Sequence, residues 1–295
     1  MPTSRLTAAA VLSLALFSGP MAGETTLRVA GSDLLGGDLR REWEGLAAER
    51  GVRATFALEG TRPAMEALAA GRADLALLLL PAHEAPPEGD CLSFALAFQA
   101  VVFVVPENSP VREMTLAQAR GLFVPGESGG FEKWGDFGLE GAWRERPLVL
   151  HALAAEAGLA VPLARSLVWP GLELKPAVRH SADNVQLHRR LLAAENALGL
   201  TVGAPAERSG LRAVALAANR SEPAYLPTME NLAGGVYPLR LILHLTVRRS
   251  ALPRLLPLLR ILLREEAVPA LAAAGFEPLP WTRREELLIR LESIR

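Results

Sequence analysis

The sequence is poor in residue types that many functional sites require. Its 295 residues include one cysteine and two tyrosines. The single cysteine, Cys91, excludes an internal disulfide, and it has no evident histidine partner that would make it a nucleophile. Two tyrosines are too few for the aromatic surface on which nucleic acid bases stack.

Charge of one sign is also lacking. The chain has 31 Lys and Arg residues against 32 Asp and Glu residues, a formal net charge of −1, and no run of basic residues. This balance argues against nucleic acid as the main partner. The five histidines do not have the spacing of a metal site, and no dinucleotide fingerprint, phosphate loop or nucleophile elbow is present. We therefore expect no enzyme, no cofactor and no metal.

The amino-terminal segment lacks the length of a membrane span. Its apolar core, residues 6–17, is well short of the ~20 residues that cross a bilayer. It follows the single charge of Arg5 and precedes a short stretch with small residues and a proline, which is typical of a cleaved signal peptide. We expect residues 1–23 to be removed on export to the periplasm, and the mature chain to begin near Glu24.

Two segments follow the order of strand, tight turn and helix that builds an anion site in α/β proteins. Residues 27–30 predict a buried strand, Gly31 permits a tight turn, and Ser32 or Asp33 can cap the next helix. Residues 52–70 repeat this order. Ligands of open α/β sheets bind at the edge where such turns meet.

A third segment predicts a carboxylate at this edge. Gly71 ends a helix, and residues 75–80 predict a buried parallel strand that Asp74 directly precedes. We expect Asp74 to lie beside the two turns. The alternative is a carboxylate that caps only the neighbouring backbone.

The rest of the chain predicts a second α/β unit between two long strands. The long apolar strands are residues 94–105 and 237–247, and shorter strands and helices alternate between them. Within that unit we expect a strand at residues 172–177 and a helix capped by Ser181.

This arrangement predicts an α/β, bilobed protein whose two lobes are joined by a two-strand hinge, with the ligand between them. One lobe would comprise residues 24–103 and 225–295, and the other residues 104–224.

Several short motifs occur in a characteristic order along nearly all of the mature chain. They are Gly31-Ser32-Asp33, Gly60-Thr61, Gly71-Arg72-Ala73-Asp74-Leu75-Ala76, Trp134-Gly135, Ala197-Leu198-Gly199-Leu200, Pro227-Thr228, Tyr237-Pro238-Leu239 and Gly275-Phe276-Glu277-Pro278-Leu279. Their order and spacing resemble the periplasmic phosphate-binding proteins of ABC importers, which have the type 2 periplasmic binding-protein fold. The resemblance implies a monomer that binds inorganic phosphate or a related oxyanion and delivers it to an ABC permease.

The resemblance also implies which residues of the first lobe form the site. Ser32, Asp33 and Leu34 fall on the first anion-contacting turn, where Leu34 replaces a position that is often threonine. Thr61 falls on the second turn. Asp74 matches the carboxylate that accepts a proton from hydrogen phosphate. Because fully ionised sulfate has no proton to give, such a carboxylate would favour phosphate over sulfate.

The second lobe departs from the family. An arginine and two hydroxyl residues are expected after its first strand, but Leu153, Ala157 and Leu159 stand there. We therefore expect weak phosphate binding. The alternative is a non-transport relative whose cleft has lost phosphate binding and serves another ligand or a protein partner.

Two residues are candidates to compensate for the missing donors. Arg62 can supply a cation from the first lobe, and His151 a protonatable donor from the second. The alternatives are a solvated residue of the first helical turn for Arg62 and a histidine at the edge of the core for His151.

Overall fold

A computed structural model describes residues 26–126, 130–155 and 160–294 of the protein. The predicted signal peptide lies outside these residues, as do Ala157 and Leu159 of the departing loop. None of the helices that the structure describes is long and apolar enough to cross a membrane.

The strands, numbered in chain order, are β1 (Leu27–Gly31), β2 (Ala54–Leu58), β3 (Leu75–Pro81), β4 (Cys91–Pro106), β5 (Glu113–Thr115), β6 (Val149–Leu153), β7 (Arg179–Ser181), β8 (Ala197–Val202), β9 (Leu211–Ala213), β10 (Ala215–Ala217), β11 (Arg240–Arg248) and β12 (Glu277–Pro278). The helices are α1 (Gly36–Glu49), α2 (Thr61–Ala69), α3 (Leu116–Phe123), α4 (Trp134–Phe137), α5 (Ala160–Leu167), α6 (Asn184–Leu192), α7 (Met229–Gly234), α8 (Leu252–Leu262), α9 (Val268–Ala273) and α10 (Trp281–Ser293).

The main sheet has two halves with parallel strands at each outer side. Its order is β2-β1-β3-β11-β4-β8-β6-β7, with β9 and β12 also paired to β4, while β5 and β10 pair separately. Strands β2, β1 and β3 are parallel to one another, as are β8, β6 and β7. The antiparallel strands β11 and β4 lie between these two groups.

Strand β4 passes through both halves. Its first part pairs with β11 up to Ala100, and its second part pairs with β8 from Val101. Residues 101–105 are fully buried, which explains why this stretch is continuously apolar rather than alternating. The expected pairing of the two long strands is confirmed. The division into lobes at residues 24–103, 104–224 and 225–295 stays a prediction.

The carboxyl-terminal helices return to the first half. Trp43 of α1 is fully buried, and its indole Nε1 donates a hydrogen bond of 3.1 Å to the carbonyl of Ala267, just before α9. This bond joins residues more than 200 positions apart and ties the segment before α9 to α1.

The expected strand at residues 172–177 is wrong. Lys175 bonds through its backbone N–H to the carbonyl of Phe123 and through Nζ to the carbonyls of Gly121 and Phe131, so the segment is a tethered loop. The strand lies later, at β7. Ser181 therefore ends that strand, and Asp183 caps α6 by accepting a hydrogen bond of 2.7 Å from the N–H of Gln186.

Candidate functional site

A cavity of about 260 Å³ lies where the two halves of the sheet meet, and we call it the interlobe cavity. The first half contributes the turn after β1 and the end of α9, and β4 contributes a buried amide. The second half contributes the end of β6 and the start of α6. The lining residues that matter for its chemistry are Leu34, Gln99, Leu153, Asp183, Asn184 and Gly275.

The backbone amides of the turn after β1 are hydrogen-bonded within the protein. The N–H of Ser32 donates to the carbonyl of Leu77, the N–H of Leu34 donates to the Ser32 hydroxyl, and the N–H of Leu35 donates to the Ser32 carbonyl. Ser32 is 1% exposed and caps a short 3-10 turn at Asp33–Leu35. The expectation that Ser32 or Asp33 caps α1 is wrong, because this turn separates them from the helix, whose N-cap position is Leu35 and has no side-chain cap bond. These three amides are already bonded within the protein, so they are not free donors for an anion.

Gly31 is needed for close packing rather than for a special turn conformation. A Cβ at this position would lie 2.8 Å from Cδ2 of Leu58 and 3.1 Å from Cβ of Leu77. Any side chain at this position of β1 would therefore clash with the flanking strands β2 and β3.

Thr61 completes the sheet beside the turn. Strand β1 leaves β3 after Leu77, and the Thr61 hydroxyl lies 3.2 Å from both the N–H and the carbonyl oxygen of Leu79. The hydroxyl accepts a hydrogen bond from the Leu79 N–H and donates one to the Leu79 carbonyl. Its donor is therefore used by the backbone. Arg62, the next residue of α2, is exposed and is not among the residues that line the interlobe cavity.

Asp33 occupies a neighbouring position on the same sheet edge. It is exposed and lines a separate cavity of about 250 Å³ together with Arg40 and Glu59. Of the predicted first-lobe residues, Leu34 is the one that the structure places in the wall of the interlobe cavity.

The expected position of Asp74 beside the turn is wrong. Its N–H donates to the carbonyl of Arg28 at the beginning of β1, whereas the turn follows the end of that strand. Arg28 and Gly31 are three residues apart, which corresponds to ~10 Å along a strand. Because β1 and β3 are parallel, a residue before β3 and a turn after β1 must lie at opposite edges of the sheet.

Asp74 instead forms a buried ion-pair cluster. The carboxylate is 2% exposed and accepts hydrogen bonds from the backbone and guanidinium of Arg28 and from the guanidinium of Arg254. Burial alone would raise the pKa of Asp74, but the hydrogen bonds from Arg28 and the charges of Arg254 and Arg28 hold the pKa below its usual value. The carboxylate is thus ionised and fully engaged.

The second-half wall of the interlobe cavity is apolar at one point and acidic at another. Leu153 is 2% exposed and lies where the resemblance places an arginine. Asp183 is the cap of α6. Asn184 is fixed to β8, because its side-chain N–H₂ donates to the carbonyl of Val202 and its oxygen accepts from the Thr201 hydroxyl.

Three polar residues of this wall were missed by sequence reasoning. Gln99 is the amide in an otherwise apolar stretch of β4, and this exception was a usable signal. Asp183 and Asn184 lie two and three residues after Ser181, the residue that the sequence predicts as the helix cap. Their role depends on where β7 ends, which the sequence pattern did not give.

His151 lies elsewhere in the second half. It lines a cavity of about 440 Å³ with Arg179 and Arg190, which we call the outer cavity, and it is not among the residues lining the interlobe cavity. Burial, followed by the positive charges of Arg179 and Arg190, lowers the pKa of His151 to about 4. At neutral pH this imidazole is uncharged.

The chemistry of the interlobe cavity follows from these placements. No Lys, Arg or His is among its described lining residues, and its one ionisable group is the carboxylate of Asp183. Across the described ranges, no group of three or more His, Cys, Asp or Glu residues could hold a metal ion. The cavity offers amide groups and apolar surface, which suit a small polar solute better than a strongly charged one.

Sequence comparison relates the chain to a phosphate-binding protein. No family model matches. The chain is 23% identical over 193 residues to the phosphate-binding protein PstS of Pseudomonas aeruginosa strain PAO1, a match that covers 63% of this chain and 59% of that protein. The match thus spans less than two thirds of the length of this relative.

Structural comparison extends the likeness over most of the chain. A possible phosphate binding protein from Planctomyces limnophilus superposes with a TM-score of 0.71 at 20% identity, covering 92% of this chain and 99% of that one. PstS from Borrelia burgdorferi gives 0.67 at 12% identity, and an ABC-type phosphate transport receptor from Vibrio cholerae gives 0.62 at 17% identity, with 87% and 86% of this chain and all of each neighbour covered. The expected resemblance and the bilobed α/β fold class are confirmed.

Proposed function

We propose that the chain is an exported solute-binding receptor that takes a small solute into the interlobe cavity and presents it to an ABC permease in the membrane. The observation that carries this proposal is the position of the cavity. Its wall combines Leu34 from the first half with Leu153 from the second, so a bound solute touches both halves at once. Contacts made with both halves are what couple binding to closure of a hinged receptor.

The proposal includes the organisation expected from the sequence. Residues 24–103 and 225–295 act as one lobe and residues 104–224 as the other, with strand β4 running through both. The protein works in the periplasm as a monomer, without enzymatic activity and without a nucleic acid partner.

The proposed ligand is phosphate or a related oxyanion, bound weakly. The related proteins give the ligand class, since PstS of P. aeruginosa is a phosphate-binding protein. The weakness follows from two placements: Leu153 stands in place of a cation, and the Thr61 hydroxyl donates its hydrogen bond to the carbonyl of Leu79. Each charge-assisted hydrogen bond that is missing forgoes ~1.5–3 kcal/mol, so losing two lowers affinity by powers of ten.

A second candidate function is favoured by Asp183. Its carboxylate lines the cavity and would repel a phosphate dianion by ~2 kcal/mol even at the dielectric constant of water if they came within 4 Å. A non-transport relative whose cavity serves a neutral or cationic solute, or a protein partner, would have this wall.

Isothermal titration of the mature chain, residues 24–295, with phosphate, sulfate and molybdate tests the proposal. We expect phosphate to bind more weakly than micromolar. Ala273→Trp should abolish that heat, because the exposed Ala273 lines the cavity and an indole there would fill it. Ala272→Trp is the matched control, since this exposed neighbour in α9 is not a lining residue.

Each outcome of this titration decides between the candidates. Heat that Ala273→Trp removes and Ala272→Trp preserves supports an oxyanion receptor. Micromolar or tighter phosphate binding would overturn the expected weakness. The absence of any cavity-dependent heat would leave the second candidate function in place of the first.

A further inference from the structure

The outer cavity lies under the end of α6 that is farther from the interlobe cavity. Its lining residues are Val149, His151, Arg179, Arg190, Ala193 and Ala194. The interlobe cavity meets α6 at Asp183 and Asn184, whereas the outer cavity meets it at Arg190 and beyond. The helix rises ~1.5 Å per residue, so the two places are separated by ~9 Å or more along its axis.

His151 is a buried polar group whose bonding is incomplete. The residue is 2% exposed, and its Nδ1 is buried without a hydrogen-bond partner within the described part of the chain. Leaving a buried polar atom unpaired costs ~1–3 kcal/mol, and most such atoms in folded proteins are satisfied. Nδ1 itself is enclosed by protein, and the rest of the imidazole forms part of the wall of the outer cavity.

Two arginines stand beside this imidazole. Arg179 of β7 is paired in register with His151 of β6 and is exposed, and its guanidinium makes no hydrogen bond or ion pair with the residues that the structure describes. Arg190 of α6 is held in place, since its Nη1 lies 2.6 Å from the carbonyl oxygen of His180 and 3.3 Å from Oγ of Ser181.

The charge of the outer cavity is of one sign. The charged groups that act on His151 are Arg179 and Arg190, both positive, and no Asp or Glu is among the lining residues. Two arginines on adjoining elements, without a carboxylate between them, repel each other in an empty cavity. An oxyanion removes that repulsion and accepts paired hydrogen bonds from the guanidinium forks.

We propose that the outer cavity is a second anion site, for a small molecule that carries a phosphate-like or sulfate-like group. Arg179 and Arg190 bind the anionic oxygens, and the neutral His151 donates one N–H to the same group. The volume of about 440 Å³ exceeds that of a single inorganic oxyanion, so the site also has room for an organic part attached to it. This site is independent of the solute in the interlobe cavity.

The test uses the imidazole of His151 as a local reporter. Histidine side-chain NMR signals of the mature chain are followed during titration with inorganic sulfate, and in a second arm with glycerol phosphate. The signal of His151 is identified by its loss in His151→Phe. We expect a saturable shift of that signal, and Arg179→Gln should weaken the apparent affinity at least tenfold.

Two control variants show whether the shift depends on anion binding in the outer cavity. Arg189→Gln removes an adjacent exposed charge of α6 that does not line the cavity, so the affinity should stay within twofold. Ala273→Trp blocks the interlobe cavity and should leave the His151 shift unchanged. A shift that Ala273→Trp removes, a shift that Arg179→Gln leaves unaltered, or no saturation in either arm would overturn the proposal. Tighter binding of glycerol phosphate than of sulfate would identify an organic ester, and the reverse a free anion.

Discussion

The interlobe cavity and the outer cavity lie under opposite ends of the same helix, α6, and differ in charge. Near the amino end of α6 the wall carries the carboxylate of Asp183, and near the carboxyl end it carries the guanidinium of Arg190. The same strand serves both, since Leu153 lines the first cavity and His151, two residues earlier, lines the second.

The difference follows from the physics of a helix. Acidic residues stabilise the amino end and basic residues the carboxyl end, because the free N–H and C=O groups there carry opposite partial charges. A cap such as Asp183 is therefore good for the fold and poor for an anion nearby. An anion-binding receptor must counter it with a cation, and the position that would supply one holds Leu153. The positive side chains near α6, Arg179 and Arg190, line the outer cavity instead.

The largest effect is expected at a residue that lies in neither cavity. Asp74→Asn should lower the free energy of unfolding by about 2 kcal/mol at pH 7, because Arg28 and Arg254 lose a charged acceptor while staying about half exposed to water. The ratio of phosphate to sulfate affinity should not change. Urea unfolding and titration calorimetry measure the two quantities.

Asp38→Asn is the matched control for this substitution. Asp38 also pairs with an arginine, but its side chain is 93% exposed, so its loss should hardly alter stability. Because the pKa of Asp74 is held below its usual value of 3.8, its stabilising contribution is present above that pH and is lost as the pH falls further. A changed anion preference in Asp74→Asn would return Asp74 to the ligand site.

The next effect concerns the outer cavity in acid. The folded-state pKa of His151, about 4, lies below its ordinary value of 6.5, so between these values the unfolded chain binds a proton that the folded chain does not. Stability should therefore fall as the pH is lowered through this window, by up to ~1.4 kcal/mol per pH unit. His151→Phe should remove this component.

Urea unfolding at pH 7 and at pH 5, in buffer without phosphate or sulfate, checks it. The difference between variant and unmodified protein at pH 7 sets the baseline, since the linked proton contributes little there. An equal pH dependence in the two proteins would show that His151 is not buried uncharged.

Adding a positive charge to the interlobe cavity gives the third effect. Leu153→Arg should tighten phosphate binding at least tenfold, about 1.4 kcal/mol, because a guanidinium at the end of β6 supplies the missing charge-assisted bonds. Leu153→Gln is the control for polarity without charge and should gain less. Adding Ala157→Ser and Leu159→Thr completes the family pattern. Unaltered affinity in a folded Leu153→Arg protein would place the anion elsewhere.

The smallest effect is expected when only the repulsion between Asp183 and a bound anion is removed. Asp183→Asn keeps a good helix cap, so stability should be unaffected, but the cavity loses its negative charge. Phosphate should bind about threefold more tightly at low salt, and the gain should shrink as salt screens the interaction. Titration calorimetry at two ionic strengths measures this. A gain that does not depend on salt would argue that the carboxylate acts through structure rather than charge.

Local features of the fold were predictable because their causes lie within a few residues. The strand before Gly31 and the strand, turn and helix of residues 52–70 are set by short-range sterics and hydrogen bonds, and the structure confirms them. The long β4 was predictable for a different reason, since a strand buried on both faces leaves a continuous apolar pattern.

The position of Asp74 was available from the sequence but was inferred wrongly. Once β1 and β3 are taken as parallel, a residue that precedes β3 cannot lie beside the turn that follows β1. Thr61 is a different case. Its hydroxyl bonds to Leu79 only because β1 ends two residues short of that point, a register that depends on contacts between distant segments.

The sequence by itself determined most of the elements, their order and the class of fold, because periodicity, caps and turn residues act over short distances. It also determined that Leu153 stands where a cation is expected. Only the tertiary structure decided that His151 faces Arg179 and Arg190 and that Asp183 shares a cavity with Leu34. The physical reason is that two kinds of contact are involved. The alternation of side chains along β6 places His151 and Leu153 on one face of the sheet, and this can be read from the sequence. Which end of α6 lies over each of them depends on how the helix packs on the sheet.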